Sequence, residues 1–187
     1  MLSRKGKNKE FMKKLKSSIC FIFLLSSIVF SQQPDFQKER QFFDFLIGKW
    51  TIKSAETATG KWESDGKEKF KFSKALDCKV LVSEWYFNRG IPAKPNFTNA
   101  LYYMGFDNAS QSWTFYYLSP MSAQFYQGKF ESDNWYFYKT FNLNGKTVIE
   151  RQNWLLIDNG LVQRTIENSE DEGKTWSKIY RAILKPA

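Results

Sequence analysis

Six residues of this sequence combine a polar group able to hold a ligand with a place in a strand-like segment: Glu84, Tyr86, Tyr117, Tyr138, Arg151 and Arg164. An arginine turned into a protein interior can take a carboxylate or phosphate through its planar fork, and it is costly there without a partner or water. Turned outward it is simply solvated, and a one-residue shift in strand register decides between the two. For Glu84, Arg151 and Arg164 the sequence leaves both faces open. The tyrosines add hydroxyls at fixed points on aromatic walls, which suits an amphipathic ligand. Chemistry on such a ligand would need a buried carboxylate of raised pKa, and Glu84 and Glu150 are the candidates for a cofactor-free isomerase or cyclase.

Other chemistries lack their residues. The chain has no histidine and two cysteines, Cys20 and Cys78. Zinc, copper and histidine-ligated haem sites therefore lack their usual ligands, and Asp171 with Glu172 is too small a set for calcium. No metal and no cofactor is expected. Gly145-Lys146-Thr147 and Gly173-Lys174-Thr175 resemble the end of a phosphate loop, but Thr140 and Asn168 stand where its first glycine belongs. Cys78 reads as a small buried side chain beside Leu76 and Val80, or as a reactive thiol with no histidine to activate it. Asn96-Phe97-Thr98 and Asn108-Ala109-Ser110 fit the glycosylation sequon, which matters only in a host that glycosylates.

The excess is in aromatic residues. All 7 Trp, all 9 Tyr and most of the 18 Phe lie beyond residue 31. Trp113, Phe115 and Tyr117 alternate on one strand face, and Trp135 with Phe137 on another, while Tyr136 and Tyr138 take the opposite side. Rings at this density either fill a core or line a cavity.

Residues 1–31 read as a cleavable signal peptide. A basic segment (Arg4, Lys5, Lys7, Lys9, Lys13, Lys14, Lys16) precedes the apolar run Ile19–Phe30, with Val29-Phe30-Ser31 at a cleavage site; translation could start at Met1 or Met12. The apolar run is too short to span a membrane, and Cys20 precedes it rather than following it, unlike a lipidated cysteine. The formal charge of +9 falls to +3 once the seven basic residues and one acidic residue of this segment are removed. A concentrated basic face for nucleic acid is thus not expected. The location is periplasmic or extracellular. Residues 32–187 are one domain by size, long enough to bury a core without disulfides.

A helix is expected from an N-cap at Asp35 to Ile47, with Phe36, Phe42, Phe43, Leu46 and Ile47 on its apolar side and Gly48 ending it. About ten strands follow: Lys49–Ala55, Lys67–Leu76, Cys78–Asn88, Thr98–Phe106, Ser112–Leu118, Ala123–Phe130, Trp135–Phe141, Val148–Ile157, Leu161–Glu167 and Trp176–Leu184. Thr59–Trp62 is a turn or a short extension, and Arg89–Phe97, with Pro92 and Pro95, a loop. Ser64-Asp65-Gly66, Asp133-Asn134, Asn144-Gly145 and Asn159-Gly160 carry turn chemistry between them. The fold class is all-β: an antiparallel up-and-down barrel of about 8–10 strands with a short N-terminal helix closing one end. Closure is favoured because an open meander would expose two long edges.

Ser169-Glu170-Asp171-Glu172-Gly173-Lys174-Thr175-Trp176 matches the Asp-box pattern known from sialidases and other β proteins. Its mechanics are structural: Asp171 bonds the turn backbone, Gly173 permits a positive φ, and Trp176 packs at the next strand. The helix into Gly48-Lys49-Trp50, the meander, and Arg181 in the last strand resemble the calycin superfamily, the lipocalins and fatty-acid-binding proteins. Gly105-Phe106-Asp107 before Trp113, Arg151 before Trp154 and the terminal Asp-box hairpin make the layout similar to secreted bacterial lipocalin-like proteins. That resemblance implies a calycin-like barrel over 32–187 in which Arg181 packs across Trp50. The Arg-x-Tyr of fatty-acid-binding proteins is not matched, because Tyr180 precedes Arg181 directly.

The function expected is the binding of a small apolar or amphipathic molecule in a barrel cavity. The alternatives are a non-catalytic module with a filled barrel that binds a protein or glycan, through aromatics around Pro92–Phe97 and Pro120–Phe125, and the isomerase or cyclase.

Overall fold

Alternating apolar side chains and turn residues produce an almost purely β architecture. A computed structural model of the chain describes residues 36–63, 68–77, 79–86 and 100–187. The signal peptide expected in 1–31, Asp35, Ser64-Asp65-Gly66, Cys78, Arg89–Phe97 and the Asn96 sequon lie outside the described residues. The chain divides into two units, 1–36 and 37–187, and the second is the one described below.

The helix is shorter than the apolar pattern suggested. α1 spans Gln37–Gln41, a 3₁₀ turn follows at Asp44–Leu46, and the backbone is extended at Ile47. The break at Phe42-Phe43 lets Phe43 turn inward, where it is 1% exposed against Trp113 and Phe137 at 5.0 and 5.6 Å between ring centres. Gly48 does not end a helix; it opens β1, with φ +133°.

Eleven strands follow: β1 Gly48–Thr57, β2 Gly60–Glu63, β3 Lys69–Ala75, β4 Val80–Tyr86, β5 Ala100–Asp107, β6 Ser112–Ser119, β7 Ser122–Glu131, β8 Asn134–Leu143, β9 Lys146–Ile157, β10 Leu161–Ser169 and β11 Ser177–Pro186. β3 to β11 form an unbroken antiparallel meander, and β11 returns to pair with β1 along Trp50–Thr57, while β1 also pairs with β3. Ten strands thereby close a barrel, and β2 adds a short hairpin to the far half of β1. Closure leaves none of the ten barrel strands with an edge free along its whole length. The β8–β9 turn uses Asn144 and Gly145 at φ 52° and 83°, the two positive values a tight hairpin needs.

The interior is graded along the barrel axis. At the helix end Phe43, Leu46, Trp113 and Trp135 pack together. Two indoles tie the helical segment down: Trp50 Nε1 donates to the Leu46 carbonyl at 2.6 Å and Trp113 Nε1 to the Glu39 carbonyl at 3.0 Å. Above this floor Phe115, Phe137 and Trp154 form a ring cluster with centres 5.3–5.8 Å apart. Each such buried ring contributes roughly 1.5–3 kcal/mol. Toward the other end the inward residues become polar: Tyr102, Tyr126, Glu150, Gln152 and Arg164, all buried.

The barrel is compatible with the calycin resemblance, but one detail departs from it. Arg181 is exposed, lies opposite Glu56 rather than Trp50, and donates from Nε to Gln163 Oε1 at 3.0 Å. Because Trp50 faces inward and Arg181 outward, the pair implied by the resemblance is not formed. The Asp-box does form its expected hairpin. Asp171 Oδ1 accepts from the Thr175 amide at 2.9 Å and from Ser169 Oγ at 2.7 Å, and Gly173 has φ +88° beside the Trp176 ring.

Candidate functional site

β10 places Arg164 inward because Val162, two residues earlier on the same face, is core. Its guanidinium, 6% exposed, donates from Nη1 to Tyr102 Oη at 3.0 Å and from Nη2 to Gln152 Oε1 at 2.9 Å. The third nitrogen, Nε, is buried with no hydrogen-bond partner. Rings surround the group: Trp154, Tyr102, Trp85 and Tyr180, with centres 5.1, 5.3, 5.9 and 5.9 Å from the guanidinium carbon. Among the described residues no carboxylate forms an ion pair with it. Burial opposes its charge, but the tyrosine oxygens more than offset this and raise its pKa. Burial likewise raises the Tyr102 hydroxyl, with Arg164 pulling the other way. The result is a permanent cation in an aromatic enclosure, with no carboxylate paired to it among the described residues.

A second polar group lies beside the first on β9. Glu150 and Gln152 share the inward face with Val148 and Trp154. Tyr126 Oη sits 2.7 Å from both Glu150 Oε1 and Gln124 Oε1, with one proton to give. Lys139 Nζ completes the cluster, 3.2 Å from Glu150 Oε1 and 2.5 Å from Gln124 Oε1. Ser83 Oγ, on the inward face of β4, is buried without a partner.

Of the six residues singled out in the sequence, Tyr117 and Arg164 face the interior. Tyr117 packs its ring 5.5 Å from that of Tyr102. Glu84 and Tyr86 lie on the outer face of β4, because Leu81, Ser83 and Trp85 take the inner one, and they hydrogen-bond to each other. Tyr138 and Arg151 also face outward, opposite Phe137 and Gln152, so Glu84 and Arg151 do not meet in the interior. Tyr138 and Arg151 line an outer groove of 710 Å³ between β7, β8, β9 and the Asp-box hairpin. There the Arg151 guanidinium lies between Trp176 at 4.0 Å and Tyr136 at 4.9 Å, and its Nε donates to Glu167 at 2.7 Å. Tyr138 donates to Glu131 at 2.7 Å; burial and that carboxylate push its hydroxyl up to about 12.

Tyr102, Gln152, Trp85 and Tyr126 were not singled out, and Glu150 only as a base. On β9 Val148, Glu150, Gln152 and Trp154 share one parity, but Ile149, Arg151, Asn153 and Leu155 repeat the same pattern on the other, so the sequence did not pick the inner face. On β4 both parities hold apolar residues, so Glu84 could not be oriented from sequence.

No family model and no curated protein sequence matches the chain. The site must therefore be interpreted from its own chemistry.

Proposed function

We propose that the protein binds a small amphipathic molecule bearing an anionic group, carboxylate or similar, in the polar half of a lipocalin-like barrel. The observation that carries this reading is Arg164: buried, permanently charged, held by two neutral partners, and without a carboxylate among the described residues. A buried guanidinium with an unused N–H can take a carboxylate through its planar fork. The buried rings of Trp154 and Tyr102 and the partly buried ring of Trp85 offer the apolar tail a wall, while Ser83 Oγ and Arg164 Nε offer unused polar atoms. An exported carrier or receptor for such a molecule fits the leader expected in 1–31.

The test is a fluorescence titration with cis-parinaric acid and its methyl ester. The acid should bind at least about tenfold more tightly, as a charged hydrogen bond of about 1.5–3 kcal/mol requires. Arg164→Met should remove that difference. Equal binding of acid and ester to the unmodified protein would sink the proposal.

A second reading draws support from the filled floor of the barrel and from its outer face. Tyr116, Leu118, Met121 and Phe125 are exposed on the β6–β7 hairpin, Met121 at 96%. Such a patch would serve a protein or glycan partner.

A further inference from the structure

The wall of the barrel is not uniformly bonded. β7 and β8 pair over five residues only, from Gln127↔Tyr138 to Glu131↔Asn134. Beyond that, β7 continues through 122–126 bonded to β6, and β8 through 139–143 bonded to β9. The two strands thus leave a seam whose closure depends on side chains. Lys139 crosses it. Its ammonium touches Gln124 and Glu150, 5.0 Å from the centre of the Tyr126 ring, yet the residue also lines the outer groove. Both partners of the ion pair are largely buried, with 18% and 11% of their side chains exposed. A lysine stem can swing its charge into water without unfolding anything around it. Glu150 would keep its bond from Tyr126 when that happens.

The outer groove sits at the mouth of this seam. It offers rings from Phe125, Tyr138 and Trp176, cations from Lys129, Lys139 and Arg151, and the carboxylates of Glu131 and Glu172, so its cations outnumber its carboxylates by one. Lys129 lies over the Tyr138 ring and forms no ion pair among the described residues. The volume is within the range of small-molecule sites. It shares rings and cations with the Arg164 enclosure inside, and differs in carrying Glu131 and Glu172.

We propose that the groove is a second binding site for the amphipathic anion, a vestibule from which the molecule passes between β7 and β8 to Arg164, with Lys139 as the latch. This rests on the ligand class proposed above. No backbone bond has to break for passage, because none joins the strands there. The polar plug also has a reason to exist: an apolar one would seal the seam permanently.

The test seals the seam. With the ladder register extended, Phe125 and Thr140 face each other, so Phe125→Cys/Thr140→Cys in a Cys78→Ser background can be joined by a short bismaleimide. Stopped-flow uptake of cis-parinaric acid is then compared before and after linking in the same protein. Linking should slow association and dissociation by about tenfold or more, with the equilibrium affinity within about twofold, the signature of a gated route. The double change Lys139→Met/Glu150→Gln, which removes the ion pair without stranding a charge, should speed both rates. Unchanged rates on linking would overturn the seam while leaving the Arg164 site standing. No uptake by either the unlinked or the unmodified protein would overturn both.

Discussion

At the scale of single residues, Arg164 separates a ligand site from a structural one. A guanidinium kept for stability should cost about 3–5 kcal/mol when one member of its network is removed. Here no carboxylate among the described residues pairs with the charge, so Arg164→Met trades the desolvated cation against two hydrogen bonds to neutral groups, each worth about 1 kcal/mol. The expected outcome is a chemical-denaturation stability within about 1–2 kcal/mol of the parent, or higher, together with loss of anion preference. A drop beyond about 3 kcal/mol would mark Arg164 as architecture. Gly128 is the contrary case. A Cβ there would run into the Trp113 carbonyl across the sheet. Gly128→Ala should therefore destabilise the barrel by about 1–3 kcal/mol, read from the urea midpoint. Neither effect was legible in the sequence: Gly128 looks like an ordinary strand glycine until the register brings Trp113 beside it.

Among the elements, the Asp-box hairpin makes the clearest pH prediction. Thr175, through its hydroxyl and then its amide, and Ser169 hold the Asp171 carboxyl at about 2, below the ordinary carboxylate value. Because the folded value is the lower one, the support is complete above about pH 4 and is lost as the pH falls toward 2. The thermal midpoint of the parent should drop more between pH 5 and 2 than that of Asp171→Asn. Parallel curves would contradict it. This hairpin was readable in advance because its bonds are local, spanning Ser169 to Thr175. The helix was misjudged for the opposite reason. Phe42-Phe43 satisfies a helical pattern, yet Phe43 is claimed by Trp113 and Phe137 from distant strands, and the helix gives way after Gln41. Strand orientation follows the same rule. β4, β8, β9 and β10 carry apolar residues on both sides, which left Glu84, Tyr86, Tyr138, Arg151 and Arg164 undecided.

For the whole molecule, the barrel was legible from turn spacing and the absence of helical crossovers, and the β1–β11 closure follows from the need to cover edges. What composition could not reveal is the gradient inside, an aromatic floor at the helix end and a polar half beyond it. That gradient arises from the side-by-side placement of β5, β7, β9 and β10 residues whose separations in sequence carry no signal, such as Tyr102 with Arg164. A polar layer of this kind is expensive in a molecule that only has to fold, and it fits one that holds an anionic guest. The most direct measurement is native mass spectrometry of the protein purified from its own host, followed by solvent extraction of anything bound, with Arg164→Met prepared in parallel. The expected result is a discrete adduct that extracts as an anionic amphipathic molecule and is missing from the variant. A clean apo mass for both proteins, unchanged by a panel of fatty carboxylates, would contradict the Arg164 site and shift the function to the outer face.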